Sequence, residues 1–147
     1  MIVERILPAT RQRLITIGDN APLIAAAALL RDRGGDIVIV RDSDGLLAGV
    51  ITKSDIVRRI SHCQGAACVT AASAVMTQAV VYCRPGDLLR DVWMIMKERR
   101  LKNVPILDQD SRPIGVLNAR DALEALLQEV EYEEVLLREY VMCVGYH

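Results

Sequence analysis

Two pairs of side chains set the chemistry open to this sequence: Thr52 with Asp55 and Asn118 with Asp121, the second pair lying 66 positions after the first. Each pair sits in a related stretch, Gly49-Val50-Ile51-Thr52-Lys53-Ser54-Asp55 and Gly115-Val116-Leu117-Asn118-Ala119-Arg120-Asp121. In both, the apolar end of a strand runs into a polar corner and then into an acidic residue that opens an amphipathic helix. A hydroxyl or amide followed three residues later by a carboxylate fits a helix cap, and the same groups can hold a polar ligand. Neither is bond-making chemistry. The histidines are His62 and His147, no serine or cysteine stands in a nucleophile motif, and Asp42 and Asp44 lie in a turn that they suffice to form. No catalytic residue is therefore assigned, and the chain is not expected to be an enzyme.

The corners need a scaffold, and the sequence supplies it twice. Residues 14–60 align without gaps with the stretch 66 positions on, sharing Leu23/Leu89, Arg33/Arg99, Val38/Val104, Asp42/Asp108, Asp44/Asp110 and Asp55/Asp121. In the first copy, residues 14–17 read as a strand and 21–33 as a helix halted by Gly34 and Gly35. Residues 37–40 read as a wholly apolar strand buried on both faces, Asp42 to Gly45 as an Asp-Gly turn, 46–51 as the returning strand and 53–60 as a helix. The second copy repeats the order: strand 79–83, helix 87–100, strand 104–107, turn 108–112, strand 114–117 and a helix from Ala119. Leu88, Leu89, Val92, Trp93 and Met96 form the apolar stripe of its first helix, with Trp93 read as packing rather than a ligand platform.

A helical pattern over residues 1–7, stopped by Pro8, has a counterpart at 72–76. The last helix meets no Gly or Pro before Gly145, and Leu123, Leu127, Val130, Leu137, Val141 and Val144 give it a stripe expected to pack on its own module or a second subunit. Units this small bury little core alone and should pack on each other. The expected boundaries are 1–61 for the first repeat, 62–71 for a linker, 72–129 for the second repeat and 130–147 for a C-terminal helical extension.

Composition narrows the partners. A net charge of −1 and a sequence pI of 6.1 leave no basic excess for a phosphate backbone, so nucleic acid is not an expected partner. The longest apolar run, 21–30, is too short to cross a bilayer, and the first residues show no secretory signal, so the expected setting is cytoplasmic, without a membrane. Cys63 and Cys68 beside His62 have neither the spacing nor the second pair of a structural zinc site, and no metal is assigned. Whether the two thiols respond to redox is left open by the sequence.

The β-α-β-β-α unit, present twice and closed each time by Gly-Val-x-x-x-x-Asp, closely resembles the cystathionine β-synthase (CBS) domain. The pair resembles a Bateman module, over residues 1–130 and including Asn103-Val104-Pro105-Ile106 before the second signature. The resemblance implies an α/β (α+β) fold with two repeats packed sheet to sheet about a pseudo-twofold axis, leaving two clefts. It implies an adenosine-containing ligand, AMP, ADP or ATP, with S-adenosylmethionine or NAD as further candidates and no obligatory cofactor. Asp55 and Asp121 would then accept the hydrogen bonds of a ribose diol, and Thr52 or Asn118 would meet phosphate at a helix N-terminus. Lys53 and Arg120 become candidate phosphate partners, and the strands Ile37, Val38, Ile39 and Val104, Pro105, Ile106 would sandwich the adenine. A stand-alone regulatory module follows, forming a homodimer and signalling to an unidentified regulated protein. The alternative is a dimerising adaptor with ligand-free clefts, acting through its surface and C-terminal helix.

Overall fold

The computed structural model describes residues 1–62 and 69–145. Cys63, Cys68 and His147, which figured in the sequence reading, lie outside the described residues, as do the side chains of His62 and Val144.

A 3-10 turn, Val3–Ile6, leads into α1 (Leu7–Gln12). Pro8 starts this helix rather than stopping it, because a proline in the first turn gives up an N–H that has no intrahelical acceptor. The first repeat continues with β1 (Thr16–Gly18), α2 (Leu23–Arg33), β2 (Ile37–Arg41), β3 (Leu47–Thr52) and α3 (Lys53–His62). Its sheet has the order β1-β2-β3, with β1 parallel to β2 and β3 antiparallel. The second repeat carries α4 (Ala72–Val75), α5 (Leu89–Arg99), β4 (Asn103–Leu107), β5 (Pro113–Asn118) and the 27-residue α6 (Ala119–Gly145).

The strand expected at 79–83 is reduced to one parallel bridge, Cys83 with Ile106. The reason lies in the facing residue. In the first repeat Ile39 N–H donates to the Ile15 carbonyl at 2.8 Å; its counterpart is Pro105, which has no N–H to extend the ladder. Only the bonds from Cys83 N–H to Pro105 O (3.0 Å) and from Leu107 N–H to Cys83 O (2.9 Å) remain. Cys83 itself is a core residue whose burial pushes the thiol up to about 12, with Asp87 adding to the shift, so it is no nucleophile.

Both hairpins turn by the same device. Asp42 Oδ1 accepts from the N–H groups of Asp44 (2.9 Å) and Leu46 (3.0 Å), and Asp108 Oδ1 accepts from Asp110 and Arg112 (both 2.9 Å). These carboxylates are committed to the turn.

Side chains alternate across each strand, and the alternation sorts the core into three layers. Val38, Val40 and Ile51 face α2 and α3, whereas Val104, Ile106 and Leu117 face α5 and α6. Ile37, Ile39 and Val116, joined by Leu14, Leu47 and Val50, form the seam between the two sheets. The apolar strands are thus buried on both faces, and the repeats pack sheet to sheet.

The lead-in helices cross over. Val3 and Leu7 belong to the core of the second repeat with Leu89, Met96 and Leu117, while Ala72 belongs to the core of the first with Leu23, Leu30 and Ile51. Matching backbone bonds fix each crossing: Val3 N–H to Asp87 O (2.9 Å) and Leu89 N–H to Met1 O (3.0 Å), against Ala72 N–H to Ala21 O and Leu23 N–H to Thr70 O (both 2.8 Å). The signature glycines admit the crossing. A Cβ on Gly49 would lie 2.7 Å from Thr77 O, just beyond α4, and one on Gly115 would lie 2.7 Å from Thr10 Oγ1 on α1.

α6 buries Ala122 and Ala125 rather than the predicted stripe, since small side chains let it settle close on its own repeat. Leu123, Leu127 and Val130 instead border a groove of about 610 Å³ between α5 and α6, shared with Leu88, Trp93 and Met94. Residues 131–142 are exposed throughout, Leu136, Leu137, Tyr140 and Val141 among them.

Candidate functional site

Two clefts open where the sheets meet. The larger, of about 470 Å³, is walled by Asp36, Ile37, Val50, Thr52, Lys53 and Ser54 of the first repeat and by residues 100–103 of the second. That is the size of a small-molecule site. The smaller encloses about 80 Å³ among Arg13, Ile15, residues 33–37, Asn103 and Val116. Offset by 66 positions, the two are versions of one place.

At the larger cleft, the helix cap read from the sequence is formed. Asp55 Oδ2 accepts from Thr52 N–H at 2.9 Å, and Thr52 Oγ1 accepts from Asp55 N–H at 3.2 Å. The hydroxyl keeps its own proton to donate, and Asp55 keeps Oδ1, which has Arg58 Nη1 at 3.9 Å. Capping therefore does not exhaust the pair; Thr52 is part of the cleft wall, whereas Asp55 is not among the residues that line it. Lys53 Nζ lies 3.3 Å from Asp36 Oδ1 in an exposed ion pair. Across from them stand Arg100 and Lys102, exposed and, among the described residues, without an ion pair or side-chain hydrogen bond.

The second corner is spent internally. Asn118 Oδ1 accepts from the N–H groups of Arg120 (3.0 Å) and Asp121 (3.4 Å), and Asn118 Nδ2 donates to Asn103 Oδ1 at 3.1 Å. Arg13 donates to both oxygens of Asp121, Nε to Oδ2 at 2.5 Å and Nη2 to Oδ1 at 3.0 Å. This fork holds the Arg13 guanidinium above its ordinary range through those hydrogen bonds. Position 79, 66 residues after Arg13, is alanine, and among the described residues no arginine forks onto Asp55. Arg120 lies outward, 3.7 Å from Glu124 Oε1.

Of the strand residues, Ile37 reaches the wall of both clefts. Ile39 is sealed in the seam, Val38, Val104 and Ile106 face the helical cores, and Pro105 is buried in β4. Sequence reasoning missed Arg13, Arg100 and Asn103. The Gly34/Arg100 pair in the alignment was the signal for one of them; Arg13 precedes the aligned stretch and gave none.

Comparison with known proteins bears on the whole arrangement. The family profile described as CBS domain matches residues 3–62 and 72–128. The chain is 30% identical over 103 residues to arabinose 5-phosphate isomerase KdsD of Pseudomonas aeruginosa, covering 70% of this chain and 31% of that protein. It thus spans about a third of that relative's length. The solved structure of CBSX2 in complex with AMP is similar at a TM-score of 0.71 and 23% identity, over 86% of this chain and 96% of the other. The CBS domain pair of protein MJ0100, in complex with 5′-methylthioadenosine and S-adenosyl-L-methionine, is similar at 0.72 and 21%, over 86% and 99%.

Proposed function

The chain belongs to the CBS domain family, and from that membership we propose that it is a regulatory module binding an adenosine-containing nucleotide in the larger cleft and signalling occupancy to a partner protein. The carrying observation is the Thr52–Asp55 corner at the edge of a cleft of about 470 Å³ that both repeats enclose. In this reading Asp55 accepts from the ribose, Thr52 and Lys53 meet phosphate, and Ile37 packs on the base. The AMP of CBSX2 and the adenosine compounds of the MJ0100 pair support that ligand class. A ligand touching both repeats fixes their mutual position, and that is the change a partner would read. The module is regulatory rather than catalytic, and it works in the cytoplasm; among the described residues no helix is long and apolar enough to cross a membrane.

The test is thermal unfolding of nucleotide-stripped protein with AMP, ADP, ATP, S-adenosylmethionine or NAD. Ligand at about a hundred times its Kd should stabilise the native state by about 2.7 kcal/mol, a shift of roughly 5–11 °C for a chain of this size. No shift with any of them overturns the reading.

The Arg13–Asp121 fork carries a second expected outcome. Arg13→Ala frees the Asp121 carboxylate and enlarges the smaller cleft, so calorimetric titration should move from one ligand per chain to two. The ion pair is partly exposed, at 45% for Arg13 and 21% for Asp121, so its loss should cost no more than about 1 kcal/mol of stability. An unchanged stoichiometry would show that the fork is not what closes this cleft.

One observation favours an adaptor role as well: the exposed apolar surface of α6 beyond Val130 together with the α5–α6 groove. A homodimer formed across this surface is the arrangement we propose, and a ligand panel without any shift would leave the surface as the working part.

A further inference from the structure

We propose that the larger cleft selects its ligand by phosphate charge, and that Arg100 and Lys102, supplied by the repeat opposite the signature, are the residues that make the selection. This inference rests on the nucleotide reading above and deepens it.

The first observation is conformational. Arg100 caps α5 with φ 57 and ψ 42, in the left-handed region that glycine enters freely and an arginine enters at a steric cost. The matching cap of α2 is Gly34, with φ 68. The fold thus asks for glycine at both places and receives an arginine at the one bordering the larger cleft. Strain kept at the rim of a cavity points to work done there.

The second observation is electrostatic. The larger cleft gathers Lys53, Arg100 and Lys102 against Asp36, whose carboxylate already pairs with Lys53. At the smaller cleft the positions matching Arg100 and Lys102 are Gly34 and Asp36. The arginines there are engaged: Arg13 by Asp121, and Arg33 by the Gln12 carbonyl at 3.5 Å. Arg100 and Lys102 remain without such partners among the described residues. A guanidinium offers a planar fork of donors to phosphate oxygens and an ammonium a compact charge. Placed opposite Thr52 and Lys53, they would grip a phosphate chain from the second repeat while those two meet it from the first.

The experiment is calorimetric titration of the full chain with adenosine, AMP, ADP and ATP, in low salt without magnesium, for the native protein, Arg100→Gly, Arg100→Gln and Lys102→Gln. Native affinity should climb from adenosine to ATP. Each variant should lose about tenfold or more for ATP, as removal of a charge-assisted contact does, while adenosine affinity stays within about twofold. Thermal unfolding without ligand supplies a second readout: Arg100→Gly should raise the apo Tm by relieving the left-handed arginine, whereas Arg100→Gln should not. Equal native affinities for adenosine and ATP, or equal losses for both ligands in the variants, would overturn the inference and leave the adenosine reading intact. Failure of every ligand to bind the native protein would remove that reading, and the inference with it.

Discussion

Ile39→Ala is expected to lower stability by roughly 2–5 kcal/mol. For a chain of this length that is a fall in Tm of roughly 4–20 °C. Ile39 is fully buried, and it lies where neither repeat can close over it alone, in the seam with Ile37 and Val116. Truncation removes apolar contact and leaves a cavity between two sheets whose backbones are fixed by their own ladders, so collapse around the void is limited. Ile39→Val, which keeps most of the contact, should cost only about 0.5–1.5 kcal/mol. Urea unfolding followed by circular dichroism measures both. A loss below about 1 kcal/mol for the alanine variant would show that the seam contributes little and that each repeat holds its own fold.

Gly49→Ala should cost about 2–4 kcal/mol, combining overpacking of about 1–3 kcal/mol with damage to hydrogen bonds worth about 1 kcal/mol each. The added methyl would lie 2.7 Å from Thr77 O and 2.8 Å from Met76 Sδ. The thioether can swing away, but the carbonyl is held by the bridge in which Val50 N–H donates to Thr77 O at 3.1 Å and Thr77 N–H to Val50 O at 2.9 Å. Relief therefore requires α4 to lift off the first repeat. Gly86→Ala is the internal control: a Cβ there meets nothing within 4 Å and the backbone is not left-handed, so its midpoint should barely move. Equal midpoints for the two variants would mean that the close approach at Gly49 is soft.

The architecture was legible because it is written in local periodicity and then repeated. The wholly apolar run Ile37 to Val40 reads as a strand buried on both faces, Val104 to Leu107 repeats its place 66 positions on, and the Asp-x-Asp turns announce their own hydrogen bonds. What escaped depended on partners distant in sequence or on a missing group. The strand before Cys83 has strand-like residues, yet Pro105, more than 20 positions on, withholds the N–H that would have paired it. That α6 lays Ala122 and Ala125, rather than its stripe, against its own repeat follows from small side chains fitting closer than leucine, a matter of packing distance that hydrophobic spacing does not encode; the second subunit that the stripe also suggested is the homodimer proposed above. The Thr52–Asp55 corner was readable in place and chemistry. Its inequality with Asn118–Asp121 was not, because Arg13 reaches Asp121 across 108 positions of chain.

The exchange of lead-in helices bears on how such a chain can arise. A polypeptide with one repeat has a helix with no sheet of its own to cover and a glycine-faced strand with nothing laid against it. Two copies of that polypeptide answer each other's need by trading helices. Duplication and fusion of its gene then makes the trade intramolecular. Residues 63–71 lie between the two matched repeats, so separately expressed halves, each with its own lead-in helix, should retain the means to find one another.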